Sequence, residues 1–238
     1  LAQPNTQSYI QQSALMPTPA QLVHISGPDD DGLDEFVRWH TAQRPDERKE
    51  IQTVGENKLN ILLMKYERYL KMERVERELF IIKCMDDVLA PNEINAFLQS
   101  TIEFEGYRKY RSESEKYIGY YPYTGDVINK LIQNSYNAGY NNFVLNTKNL
   151  TKRLDKLGYE LKGSHDRRMD VITEGDLGAA CGCYTRYFSF IVNGNVGNRF
   201  CADAKESVFT VNGSMGNWCG FNAEKSVYII NGTFDEEQ

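Results

Sequence analysis

Four stretches of the sequence align at a spacing of 19 residues: EGDLGAACG at 174–182, NGNVGNRFC at 193–201, NGSMGNWCG at 212–220 and NGTF at 231–234. Strand-forming side chains precede each stretch, at Ile172, Ile191, Thr210 and Ile229. Positions keep their size and polarity in successive repeats when each turn of chain stacks directly on the one before. The repeat therefore predicts a short parallel β-solenoid over residues 166–238, with neighbouring strands about 4.8 Å apart.

Glycine and asparagine mark the predicted corners and ladders of the solenoid. The repeated glycines, at which we expect tight turns or a positive φ, are Gly175, Gly178, Gly182, Gly194, Gly197, Gly213, Gly216, Gly220 and Gly232. The side-chain amides of Asn193, Asn212 and Asn231 are expected to hydrogen-bond to one another along the solenoid axis. Cys201 stands where the middle repeat would carry its third glycine, so we expect a different corner there.

This Gly-x-x-Gly-x-x-x-Gly pattern resembles the right-handed GXGXG β-helix at the C-terminal end of glutamate synthase large subunits, which also occurs in a formylmethanofuran dehydrogenase subunit. The resemblance covers about residues 169–234, less than a third of the chain. It implies a right-handed solenoid that serves as a structural and interdomain element and carries no catalytic residue. The chain begins with Leu1 and not with the catalytic cysteine of a glutamine amidotransferase, so glutamate synthase activity is not expected.

The sequence before the repeat predicts a mostly helical domain over residues 29–165, which makes the fold α+β. Apolar residues there recur at spacings of three and four, which predicts one amphipathic helix of about 30 residues. The members of this stripe are Leu59, Leu62, Tyr66, Tyr69, Met72, Val75, Leu79 and Ile82. A helix of this length packs on a neighbouring helix of the same chain or on a second copy, and both alternatives stay open.

Shorter elements follow the long helix. Pro91 begins a predicted helix that ends near residue 105, and Asp126 is the predicted N-cap of another that stops at Gly139. Beyond it we expect a strand at 142–146, a helix at 150–157 and a strand at 159–162. A short helix is also expected at 34–40. Residues 1–28 contain no Asp, Glu, Lys or Arg and predict a flexible N-terminal arm.

Tyrosines alternate with basic residues in the segment 107–123. Such alternation can bind nucleic acid, but the segment also carries Glu113 and Glu115, and tyrosine equally covers protein interfaces. We therefore expect packing within the chain or a protein interface, with nucleic-acid binding as the disfavoured alternative. The predicted interface residues are Leu59, Leu62, Tyr66, Tyr69, Met72, Tyr107, Tyr110, Tyr117, Tyr120 and Tyr121.

Few residues suggest catalysis. The weak candidates are His165, Asp166, Arg167 and Arg168, in a cleft between the helical domain and the solenoid. The sequence contains no phosphate-binding loop, nucleophile elbow or dinucleotide fingerprint. The Cys181 and Cys219 positions of the repeat are two rungs apart, roughly 9.6 Å, which is too far for one zinc ion. Neither a metal nor a cofactor is expected.

The composition of the chain further limits the classes of function that we expect. A net charge of −6 argues against non-specific binding to nucleic acid, and no stretch approaches the roughly 20 apolar residues that span a bilayer. The five cysteines form no paired motif, which indicates a reducing, cytoplasmic setting. We expect a non-enzymatic assembly or protein-interaction subunit with a protein partner or a second copy. An enzyme with the interdomain cleft is the alternative, and nucleic-acid binding through 107–123 is a further one.

Overall fold

The computed structural model describes residues 45–72, 74–104 and 120–233. The α-helices within them are α1 (Pro45–Lys71), α2 (Arg74–Cys84), α3 (Pro91–Ser100, continued by a 3-10 turn at Thr101–Phe104) and α4 (Tyr120–Asn137). The strands are β1 (Asn142–Asn146), β2 (Met169–Glu174), β3 (Phe188–Asn193), β4 (Val208–Val211) and β5 (Val227–Ile230). The fold is α+β, as the sequence predicts.

The five strands form one parallel sheet in the order β1-β2-β3-β4-β5. From β2 onward each residue lies opposite the residue 19 positions further along, so that Phe190 pairs with Phe209 and Phe209 with Tyr228. The predicted parallel β-solenoid with a 19-residue spacing is therefore confirmed, with about three turns. Its interior is apolar because alternate strand residues point inward, and the Phe190, Phe209 and Phe200 rings are fully buried.

Glycine is required in two columns because the rungs approach each other closely there. A Cβ on Gly194 would lie 2.5 Å from the backbone carbonyl carbon and oxygen of Gly175, and one on Gly213 would lie 2.5 Å from the Gly194 oxygen. A Cβ on Gly197 would lie 2.8 Å from the Gly178 carbonyl. Glycine at these positions thus allows the backbones of successive rungs to approach each other closely. This close approach, more than backbone conformation, explains why glycine repeats in these two columns.

The corner after these glycines is built from alternating left-handed residues. Gly182, Cys201 and Gly220 occupy one column with φ of 69°, 54° and 68°. The prediction that Cys201 forms a different corner is therefore wrong, because its backbone adopts the same left-handed conformation as the glycines. A non-glycine residue in this conformation costs about 1–2 kcal/mol, which the hydrogen bonds between rungs offset.

The predicted asparagine ladder is present. Asn212 Nδ2 donates to Asn193 Oδ1 at 2.7 Å, and Asn231 Nδ2 donates to Asn212 Oδ1 at 2.6 Å. Asn193 Nδ2 in turn donates to Glu174 Oε1 at 2.5 Å, and Lys148 Nζ bonds to Glu174 Oε2 at 3.1 Å. The ladder therefore ends in a charged pair at the first rung, where the repeat no longer supplies an asparagine.

An additional rung, outside the 19-residue repeat, precedes the predicted solenoid. Strand β1 pairs with β2 with Asn142 opposite Asp170, and Leu154 and Lys162 form further parallel bridges to Leu177 and Arg186. The predicted strand at 142–146 is confirmed. The predicted helix at 150–157 is wrong, because these residues form turns and a bridge within the rung, and the strand expected at 159–162 is reduced to the bridge at Lys162.

The predicted 30-residue helix is interrupted. Helix α1 ends at Lys71 and α2 begins at Arg74, and the buried face changes across this break. Leu62, Tyr66 and Tyr69 are buried as the stripe predicts, but Leu79 and Ile82 are exposed, and Arg77 and Phe80 are buried in their place. Arg77 Nη1 donates to the Met72 carbonyl at 2.7 Å, and its guanidinium lies 3.8 Å from the centroid of the Tyr123 ring.

Helices α3 and α4 agree with the sequence in their cores but not in every boundary. Ile94, Phe97 and Leu98 are buried on α3. Helix α4 begins at Tyr120, six residues before the predicted N-cap Asp126, which lies inside the helix. Its C-terminal stop at Gly139 has the expected positive φ of 118°. The helix expected at 34–40 and the arm expected at 1–28 lie outside the described residues.

Substitution of a stacked glycine tests the close approach of the rungs. Gly194→Ala places a Cβ against backbone atoms that cannot rotate away, so we expect a loss of about 2–3 kcal/mol in the free energy of unfolding. Gly139→Ala is the control, because no atom lies within 4 Å of its Cβ and only the positive φ costs energy, about 1 kcal/mol. Denaturant unfolding measures both, and equal losses would contradict the steric explanation.

Candidate functional site

The first rung of the solenoid is closed by side-chain amides of α3. Asn146 lies at the end of β1, which is the edge strand of the sheet among the described residues. Its backbone N–H donates to Asn95 Oδ1 at 2.8 Å, and its carbonyl accepts from Gln99 Nε2 at 2.7 Å. Asn95 and Gln99 thus provide both the acceptor and the donor that a preceding strand would provide.

Helix α4 closes the corner of the same rung in the same manner. Asn129 Nδ2 donates to the Lys156 carbonyl, and Asn129 Oδ1 accepts from the Gly158 N–H, each at 2.7 Å. Gln133 forms the corresponding pair with Lys162, accepting from its N–H at 2.9 Å and donating to its carbonyl at 3.1 Å. Four amide side chains thus make the hydrogen bonds that a neighbouring rung would make: Asn95, Gln99, Asn129 and Gln133.

The opposite end, the terminal rung, consists of residues 215–233. In the rung before it, the N–H groups of Arg199, Asp203 and Glu206 donate to carbonyls of the terminal rung at 2.8, 2.7 and 3.0 Å. The equivalent donors of the terminal rung belong to Trp218, Asn222 and Lys225. Within residues 45–72, 74–104 and 120–233 no further rung or helix accepts from them. Among the described residues, one end of the solenoid is therefore closed, whereas backbone N–H groups at the other end have no acceptor.

Side chains of the core columns become exposed at the terminal rung. Phe221 continues a column whose earlier members, Cys183 and Ala202, are buried, yet Phe221 is 49% exposed. Tyr228 and Ile230 continue buried columns and are only half-buried. Trp218 is 66% exposed, with its ring centroid 5.7 Å from that of Phe221. The open end is thus apolar and aromatic as well as unpaired, which is typical of an interaction surface.

The predicted catalytic residues lie on a turn before β2. His165 Nδ1 is 2.9 Å from Asp166 Oδ1, but the two side chains are 83% and 97% exposed. Arg167 packs on α4, with its guanidinium 4.1 Å from the centroid of the Tyr136 ring and a hydrogen bond to the Tyr136 carbonyl at 2.7 Å. Arg168 is exposed. The structure brings these residues together without enclosing a space for a substrate, and a catalytic role stays a prediction.

A shallow groove of about 530 Å³ lies between the first two rungs, away from that turn. Three of the charged groups in its lining are already paired, because Lys148 bonds to Glu174 and Arg153 Nη2 lies 3.1 Å from Asp176 Oδ2. Asp176 also accepts from the Asn195 N–H at 2.7 Å, and these interactions with Asn195 and Arg153 hold its pKa below the ordinary value despite partial burial. The groove stabilises the stack and offers no unpaired charge of these residues to a ligand.

The solenoid cysteines are structural. Cys183 Sγ donates to the Arg199 carbonyl at 2.8 Å, and Cys181 Sγ donates to the Leu154 carbonyl at 3.3 Å. Burial raises the pKa of Cys183 to about 11 and raises the pKa of Cys201 well above its ordinary value. All five cysteines, including Cys84 on α2, are thiols. The described part of the chain contains no group of three or more His, Cys, Asp or Glu side chains placed to hold a metal ion.

The predicted interface residues divide into two groups. Leu62, Tyr66 and Tyr69 are buried in the core of the chain itself, Tyr66 with its ring centroid 5.6 Å from that of Phe97. These residues of the helical stripe therefore pack within the same chain, which is one of the two alternatives that the sequence left open. Leu59 and Met72 are half-buried beside them. Tyr107, Tyr110 and Tyr117 lie outside the described residues, and Tyr120 and Tyr121 form the first turn of α4.

Comparisons with known proteins found no match: no protein-family model, no curated protein and no solved structure matches the chain. The parallel solenoid is established by the strand pairing itself, whereas kinship with the GXGXG domain of glutamate synthase stays a prediction. Among the residues that the structure describes, none of the helices combines the length and apolar character needed to cross a membrane.

The residues that close the first rung were not predicted from the sequence. Asn95 and Gln99 on α3, and Asn129 and Gln133 on α4, are pairs spaced by four residues, which places each pair on one helix face. Two such amide pairs on helices beside a predicted solenoid are the signal that could have revealed the cap.

Thiol reactivity tests the structural role of the cysteines. The thiolate is the reactive form, and burial keeps Cys181, Cys183 and Cys201 protonated at neutral pH. In the native protein we expect the half-exposed Cys84 to react first with a disulfide reagent and these three to react at least a hundredfold more slowly. Cys84→Ser removes the fast phase, and unfolding makes all remaining thiols reactive. Fast reaction of the three buried thiols in the native protein would contradict this assignment.

Proposed function

We propose that this chain is a non-enzymatic assembly or protein-interaction subunit in which the solenoid is a rigid platform. The observation that carries the proposal is the difference between the two ends of the solenoid. Amides from α3 and α4 satisfy the backbone of the first rung, whereas the terminal rung presents Trp218, Phe221 and N–H groups for which no described residue supplies an acceptor. An exposed edge of this kind recruits another polypeptide by strand addition.

The rigidity of the platform follows from its bonding. Backbone bonds, the amide ladder through Asn193, Asn212 and Asn231, and the aromatic column through Phe209 connect each rung to the next. A second contact surface is offered by α1, on which Ile61 and Met64 remain exposed opposite the buried stripe. In this proposal the terminal rung is the main binding surface, and α1 is a separate, helical contact surface.

The proposal extends to kinship and location. We propose that the solenoid is right-handed and related to the GXGXG domain of glutamate synthase large subunits, in which the solenoid has a structural and interdomain role. We also place the chain in the cytoplasm, because its five cysteines are all thiols and a reducing compartment keeps them so.

Site-specific photocrosslinking in the cells that produce the chain tests this function. Trp218→p-benzoylphenylalanine puts a crosslinker at the open end, and Tyr184→p-benzoylphenylalanine puts one at an exposed position of an inner rung. We expect a discrete adduct heavier than the 27.4 kDa chain from position 218 and none from position 184. Adducts from both positions, or from neither, would show that the terminal rung is not a protein-binding surface.

A further inference from the structure

We infer that the partner of the terminal rung is a second copy of this chain, related to the first by a two-fold axis. This inference rests on the proposed function, because it names the protein that the open end binds. In the resulting dimer the two terminal rungs, residues 215–233 of each copy, face each other. The two cores then form one continuous stack, closed at both outer ends by helices α3 and α4.

The closed end determines which contact between copies is available. Head-to-tail stacking requires the terminal rung of one copy to meet the first rung of the next. That first rung is already paired with Asn95, Gln99, Asn129 and Gln133. A contact between two identical surfaces closes with two-fold symmetry and leaves no surface for a third copy. The terminal rung is therefore left to pair with itself.

The two-fold relation also satisfies the backbone. When the core of one copy covers the core of the other, the axis runs across β5 and the two β5 strands lie antiparallel, an arrangement that proteins use widely. Phe221, Tyr228 and Ile230, whose columns are buried in earlier rungs, then become buried as well. Each copy supplies what the next 19-residue rung would otherwise supply.

Charge permits self-association of the terminal rung. Its only charged residues are Glu224 and Lys225, so its net charge is zero and two copies do not repel each other there. Glu224 is already paired with Lys205 Nζ at 2.7 Å. An uncharged, aromatic end does not select a strongly acidic or basic partner, whereas it complements another uncharged, aromatic end.

The contact area predicts a weak, reversible dimer. A rung of 19 residues at about 3.3 Å per residue has a perimeter of at most about 63 Å, which encloses roughly 300 Å². A stable interface buries about 800 Å² on each partner. We therefore expect a weak dimer that dissociates on dilution.

Trp218 and Tyr184 form a matched pair for the test. Both are exposed aromatic residues in the left-handed conformation, with φ of 62° and 58°. Each has one neighbouring ring, with centroids 5.7 Å apart for Trp218 and Phe221 and 5.3 Å apart for Tyr184 and Tyr159. Asparagine tolerates this backbone conformation, so neither Trp218→Asn nor Tyr184→Asn strains the rung. They differ in that only Trp218 lies at the open end.

Sedimentation of the purified full-length chain over a range of concentrations tests the inference. We expect the mass to rise from 27.4 kDa and to level off at twice that value. Trp218→Asn weakens the association at least tenfold, since tryptophan side chains carry a large share of the energy of interfaces, and Tyr184→Asn leaves it unchanged. Hydrogen exchange at the Trp218, Asn222 and Lys225 amides slows as the dimer forms.

The alternative outcomes overturn the inference in distinguishable ways. A mass that keeps rising with concentration indicates head-to-tail stacking and not a two-fold dimer. A monomer at all concentrations, with those three amides protected, indicates that a segment of the same chain covers the terminal rung, and then the photocrosslinker at 218 forms no heavier adduct and the proposed function fails too. A monomer whose crosslinker at 218 captures a different protein overturns the inference and retains the proposed function.

Discussion

Each turn of this solenoid depends on hydrogen bonds to the turns on either side of it. In the corner, alternate left-handed residues direct their N–H groups up or down the stack, so that Cys201 donates to the Cys181 carbonyl at 2.8 Å while Arg199 and Asp203 donate toward the terminal rung. No rung in such a stack can satisfy its backbone alone. The rungs at the two ends of the stack therefore require hydrogen-bond partners from outside the repeat, and an end that is buried or apolar requires them most.

The helical part of the chain meets that requirement at the first rung. An amide side chain carries both a donor and an acceptor, so Asn129 and Gln133 each replace the two backbone groups of a neighbouring rung. Gly125 allows this approach of α4, because a Cβ there would collide with the Asp155 carbonyl oxygen. The helices and the solenoid belong to one compact unit from Glu56 onward, and α3 and α4 form the base of the stack.

The 19-residue repeat was sufficient to predict the strands, their register and the asparagine ladder, because those features repeat with the sequence. The rung at 142–162 could not be found in this way: its strand lies 28 residues before β2, so its columns are out of phase with the repeat. The buried face after Met72 was also unpredictable from periodicity, since the break between α1 and α2 shifts the helix register and places Arg77 in the core. The repeat alone does not distinguish the two ends of the solenoid. The open end can be identified only when the cap on the first rung is known.

The cap gives the solenoid a direction in which its length can change. A unit of 19 residues duplicated within the repeat would move the terminal rung one step outward along the axis and leave every contact of Asn95, Gln99, Asn129 and Gln133 unchanged. Loss of a unit would move the terminal rung one step back. Gain or loss of one unit would therefore change the length of the platform by about 4.8 Å and would move the binding surface along the axis without altering the helical base.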